Sequence, residues 1–130
     1  MLLEYLEDPD AQVDTRVLLL YEFVPDEVVA LRDAIDRLSR GKSGDELRVG
    51  ALPGVVTIDG STLAASVGET ERGVEPVAGA GRHFHCALTS GGWQRVCGLL
   101  EPFLRDDCRG FQYLSEEGTV EWVISCDQGW

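Results

Sequence analysis

The stretch His83-Phe84-His85-Cys86-Ala87-Leu88-Thr89-Ser90-Gly91-Gly92-Trp93-Gln94-Arg95-Val96-Cys97-Gly98-Leu99-Leu100-Glu101-Pro102-Phe103-Leu104 decides what kind of fold this chain builds. Its first six residues alternate in character. Phe84, Cys86 and Leu88 share one side of a strand, and His83 and His85 share the other. From Trp93 onward the apolar spacing changes to threes and fours. Trp93, Val96, Cys97, Leu100, Phe103 and Leu104 then fall on one helix face. Thr89 or Ser90 can cap that helix, and Gly91-Gly92 allows a tight passage from strand to helix. Pro102 removes one hydrogen bond and presses on the carbonyl of Gly98, so a kink or an early end to the regular helix is expected there.

Upstream, residues 16–23 read as a strand with apolar side chains on both faces: Val17, Leu19, Tyr21 and Phe23 against Leu18 and Leu20. Such a strand belongs in the middle of a sheet. Pro25 suits a first helical position, and Asp26 and Glu27 suit the first turn. Val28, Leu31, Ile35 and Leu38 continue as an amphipathic helix that Gly41 ends. Residues 47–77 read as β-structure. Asp59-Gly60 predicts a hairpin between 55–58 and 63–67, because that dipeptide suits the turn that matches strand twist. Residues 68–73 connect to a strand holding Val74 and Val77. A final hairpin joins 111–114 to 119–125 through Ser115-Glu116-Glu117-Gly118, with Gly118 expected at positive φ.

The resulting expectation is an α+β two-layer sandwich: a mainly antiparallel sheet of six or seven strands, two helices on one face, order β-α-β-β-β-β-α-β-β. Residues 16–130 form one domain of ordinary size. Residues 1–15, with five acids and no base, precede it as an acidic segment, either docked or mobile.

The net charge is −12, from 11 basic and 23 acidic residues. Phosphate backbones and anionic membrane surfaces repel such a chain, so neither nucleic acid nor membrane is an expected partner. Arg37, Arg40 and Lys42 are the nearest thing to a basic patch, and they sit where cations offset a helix dipole. A basic protein is the partner that this charge suits. The acidic start and the absence of a long apolar run point to the cytoplasm. With that compartment goes the expectation that Cys86, Cys97, Cys108 and Cys126 are free thiols.

Candidate chemistry is sparse. His83 and His85, two apart on a strand, can both reach one metal, with a third ligand from Cys126, Asp127 or an acid elsewhere. The same pair with Ser90 and Gly91 at the helix start forms a candidate ligand or anion site. Cys108 follows two acids, which disfavour a thiolate. The G-x-S-x-G, P-loop and dinucleotide motifs are absent, and no cofactor is implied. Trp130 is a candidate partner anchor. The leading expectation is a non-catalytic interaction module, an accessory, adaptor or inhibitor-like protein with an acidic surface. A small metal-dependent or ligand-binding enzyme using the His83/His85 face and a self-associating structural protein are the alternatives.

Overall fold

A computed structural model describes residues 1–8, 15–41, 45–79 and 81–126. The protein is α+β, as expected, with two helices and nine strands in the described residues. The strands are divided between two mixed sheets. The first contains β1 (Leu2–Asp8), β2 (Thr15–Tyr21), β4 (Val56–Thr57), β8 (Phe111–Ser115) and β9 (Glu121–Ser125), in the order β4-β1-β2-β9-β8. The second contains β3 (Glu46–Arg48), β5 (Thr62–Val67), β6 (Gly73–Pro76) and β7 (His83–Leu88), in the order β3-β5-β7-β6.

Helix α1 (Pro25–Ser39) starts as its sequence suggests. Pro25 occupies the first turn, and the Glu27 carboxylate accepts the Val24 N–H at 3.0 Å. Helix α2 (Ser90–Leu100) is capped by Thr89, whose hydroxyl accepts the Gly92 N–H. It ends at Leu100 and passes into a 3₁₀ turn, Glu101–Leu104, which holds Pro102. The early end expected from that proline is what the chain adopts, because a 3₁₀ turn needs no donor from Pro102.

Both sheets turn one apolar face toward a single core. Leu3, Leu18, Leu20, Trp122 and Ile124 come from the first sheet; Leu63, Ala65, Phe84, Cys86 and Leu88 come from the second. Val28, Leu31 and Ile35 of α1 and Trp93, Val96 and Leu100 of α2 fill the space with them. Trp93 and Trp122 meet edge to face, with ring centroids 6.1 Å apart. The Trp93 indole N–H donates to the Ser66 carbonyl at 2.9 Å, so its polar atom is satisfied inside the core. Tyr5 of β1 packs on Phe84 of β7 at 4.6 Å and ties the sheets together at one end. A bridge between Val74 and Val120 ties them at another.

Strand β2 lies between β1 and β9, the central place that its two apolar faces require. Its second face forms a separate small cluster of Val17 and Leu19 with Val123. The acidic N-terminal segment contributes β1, paired along its length with β2. The Met1 ammonium, partly buried, is held by Glu27 at 2.9 Å and by the Gly54 carbonyl at 2.9 Å. Lys42, Asp127 and Trp130 lie outside the described residues, and so does the body of the acidic segment beyond Asp8.

Three sequence expectations are corrected. The hairpin at Asp59-Gly60 does not form, although both residues adopt the left-handed backbone that it needs, at φ 53 and 71. Strand β4 pairs in parallel with β1 in the first sheet, while β5 belongs to the second, so this turn carries the chain between sheets. Strands β5 and β6 are not neighbours either: β7 inserts between them, parallel to β5 and antiparallel to β6. Gly118 is not among the glycines with positive φ. It is needed for another reason: a Cβ there would run into the Val74 backbone.

Candidate functional site

The alternation of β7 places Phe84, Cys86 and Leu88 in the core and leaves His83 and His85 on the far side of the four-stranded sheet. The 3₁₀ turn Val49–Ala51 borders that side at one end, and no residue of the two α-helices lines the trough there. Strand register arranges it in transverse rows. One row reads Arg48, Ala64, His85, Glu75 across β3, β5, β7 and β6. The next reads Glu46, Ser66, Ala87, Gly73. On the other side, Thr62 pairs with His83, and the Val77 N–H donates to the His83 carbonyl at 2.9 Å.

Each histidine touches a hydroxyl on β5. His83 Nδ1 lies 2.6 Å from Thr62 Oγ1, and His85 Nε2 lies 2.9 Å from Ser66 Oγ. Column β5 presents only small side chains here (Thr62, Ala64 and Ser66), between the longer side chains of β3 and β7. The result is a trough of about 520 Å³ whose walls include Arg48, Ala51, Ala64, Val77 and His83. Arg48 is exposed, and its Nε lies 3.3 Å from Glu46.

A serine hydroxyl 2.9 Å from an imidazole has the first element of nucleophilic catalysis. Acyl transfer also needs donors aimed at a developing oxyanion. Ser66 lies within a strand paired on both sides, where main-chain N–H groups serve the ladder. The metal expectation has the histidines on one side as required, but among the described residues no group of three His, Cys, Asp or Glu could hold an ion. Cys126, named as a third ligand, is instead bonded to Cys108. That disulfide overturns the expectation of four free thiols. Residues 108 and 126 are brought together by pairing of β8 with β9, since the Cys126 N–H donates to the Gly110 carbonyl just beyond the last strand pair.

Cys86 and Cys97 are free and buried. Burial pushes both thiols up, and nearby carboxylates add to the effect, Glu117 and Glu71 at Cys86 and Asp36 at Cys97. Neither is poised as a thiolate.

The helix start at Ser90 and Gly91 is not joined to the histidines. Ser90 Oγ donates to the Ser39 carbonyl at 2.5 Å, locking α2 to the end of α1. An anion is already placed at this helix end by the chain itself. The Glu71 carboxylate accepts the Thr89 N–H at 3.1 Å and the Thr89 hydroxyl, and it lies where a Cβ on Gly92 would be. Carboxylate charge there complements the helix dipole. An external anion would have to displace it.

Sequence reasoning missed a second gathering of charge. Gly73 and Gly118 bring their backbones together, so the β5–β6 loop meets the β8–β9 turn. Glu71 and Glu117 thereby come near one another, both within electrostatic reach of Cys86, with Arg95 paired to Glu117, and Glu69 and Glu116 are exposed residues of the same two loops. Burial pushes the Glu117 carboxyl up, yet bonds from the Ser115 hydroxyl and backbone N–H groups, with Arg95 at 3.5 Å, leave it lowered. The close glycine pair was the signal available in the sequence, but nothing there says that two glycines so far apart will touch.

No protein-family model, no curated protein and no solved structure matches this chain.

Proposed function

We propose that this protein is a non-catalytic interaction module, an accessory, adaptor or inhibitor-like protein that offers an acidic surface to a basic partner protein. One observation supports this above the rest: the β5–β6 loop and the β8–β9 turn, far apart in sequence, pack together through Gly73 and Gly118, and each carries two glutamates, Glu69 and Glu71 on one and Glu116 and Glu117 on the other. A net charge of −12 leaves most carboxylates without a cation of their own. Like charges gathered on a rigid end cost stability, and a partner of opposite charge recovers it while gaining a steered encounter.

The compartment is part of the proposal. No helix among the described residues is long and apolar enough to cross a membrane. The Cys108–Cys126 bond favours an oxidising compartment over the cytoplasm expected from the sequence. Alkylation of free thiols at the moment of lysis decides between them. A reduced pair supports the cytoplasm, and an oxidised pair moves the module out of it.

The functional test is affinity capture from the native host at low and at high salt. Wild type is compared with Glu69→Lys/Glu116→Lys, which reverses two exposed charges and leaves Glu71 and Glu117 in their bonded positions. A basic protein retained by wild type at low salt and lost by the variant supports the proposal. Recovery of no basic protein under either condition contradicts it.

A further inference from the structure

We infer that the open face of the four-stranded sheet is a self-complementary surface, and that its occupant is a second copy of this chain. The order Arg48, Ala64, His85, Glu75 across the sheet carries the idea. A two-fold axis parallel to the strands lays this row on its own reverse. Arg48 of one copy then faces Glu75 of the other, twice. Ala64 of each copy faces His85 of the other, a small side chain opposite a large one. The neighbouring row repeats the pattern: Thr62 faces His83, and Val77 faces the stretch holding Gly50 and Ala51. Val77 is a valine with 44% of its surface exposed, set opposite two residues with little or no side chain.

Charge and shape therefore agree. The trough of about 520 Å³ at the Thr62–Ala64 end of β5 is what the second copy's imidazoles would fill. Both charged residues keep bonding capacity. Arg48 uses Nε toward Glu46, which leaves its two terminal nitrogens for a carboxylate. Glu75 accepts from Thr119 at 2.8 Å through one oxygen, leaving the other. Each contact occurs twice by symmetry, as an isologous interface requires.

The patch is small. Four strands about 4.8 Å apart and roughly five residues long at about 3.3 Å each give on the order of 300 Å² per copy. A standard stable interface takes about 800 Å² per partner. The dimer is accordingly weak and concentration-dependent, and net repulsion between two copies at −12 weakens it further at low salt. The inference does not depend on a basic partner, because none of Glu69, Glu71, Glu116 and Glu117 belongs to the paired rows; an axis parallel to the strands does set the two acidic ends side by side, which weakens the dimer further.

Sedimentation velocity on the full chain tests it, from about 20 μM to about 1 mM protein at roughly 0.15 M salt, where the Debye length is near 8 Å. Weight-average mass is expected to rise toward that of a dimer at the upper end. Arg48→Glu and Glu75→Arg should each cut association at least about tenfold, the equivalent of about 1.4 kcal/mol. Combining them should restore it, because the exchanged charges face each other again. Ala64→Trp should abolish it by filling the trough. Amide shifts that move with concentration in wild type should map to β5 and β7, which needs no variant. A monomer across the whole range overturns the inference. So does a dimer indifferent to Ala64→Trp, or a double exchange no better than its parts, or shifts confined to another face.

Discussion

Removing the Cys108–Cys126 bond should lower stability without changing the native fold. The bond closes a segment with a sequence separation of 18 residues. Chain-entropy loss for a loop of that size is about 11 cal/mol/K, or about 3 kcal/mol at 25 °C. In the native state the same segment is already closed by β8–β9 pairing, from Phe111 opposite Ser125 inward, and by the Cys126 N–H to Gly110. The bond therefore acts on the unfolded chain. Urea unfolding of the oxidised protein, the reduced protein and Cys108→Ser/Cys126→Ser measures this. With a urea slope of about 1–3 kcal/mol/M, the midpoint should fall by roughly 1–3 M in both bond-free forms, and the slope should rise as the unfolded chain expands. Circular dichroism below the transition should be unchanged. A midpoint that does not move on reduction would refute the reasoning, and so would loss of native structure in the double serine variant.

Other changes test other joints of the fold. Gly118→Ala should cost about 2 kcal/mol or more, because its Cβ meets the Val74 backbone where the sheets touch; thermal melting reads the loss. Trp93→Phe removes the donor to the Ser66 carbonyl and part of the edge-to-face contact with Trp122, at about 2 kcal/mol by urea unfolding. Burial pushes the Glu27 carboxyl up, but the Met1 ammonium and the Val24 N–H outweigh it and leave it lowered. Its folded pKa thus lies below the unfolded value of about 4.3, so its contribution is complete above that pH and is lost as pH falls through the folded pKa. Glu27→Gln should therefore destabilise at neutral pH and flatten the acid side of the stability profile, a difference that vanishes in strong acid.

Much of the secondary structure is legible in the sequence, and the side-chain faces are too. The alternation of residues 83–88 assigns Cys86 to the core and both histidines to the open side, which is where they are. The double-faced apolar pattern of residues 17–20 places β2 centrally, and Pro102 shortens α2. Strand partners are not legible, because alternation names a face and not a neighbour. Asp59-Gly60 takes the backbone that a hairpin turn needs, yet Val56 N–H finds the Met1 carbonyl and Ile58 N–H finds that of Leu3. The free edge of β1 satisfies those donors, and β5 is left to pair with β3 and β7. For the candidate site, the shared side of His83 and His85 could be read, but their bonds to Thr62 and Ser66 could not, since the parallel pairing of β5 with β7 creates them. Nearness in sequence groups Ser90 and Gly91 with the histidines; Glu71, from another loop, occupies that helix end instead. The Cys108–Cys126 bond follows from hairpin register, which cysteine spacing alone does not disclose.

The acidic end is proposed to meet a basic partner. The most direct test is the association rate of the captured partner at several ionic strengths, for wild type and for Glu69→Lys/Glu116→Lys. A wild-type rate that falls steeply with salt is expected, with a slower and less salt-dependent rate for the variant. Equal rates and equal salt dependence for the two proteins would contradict it.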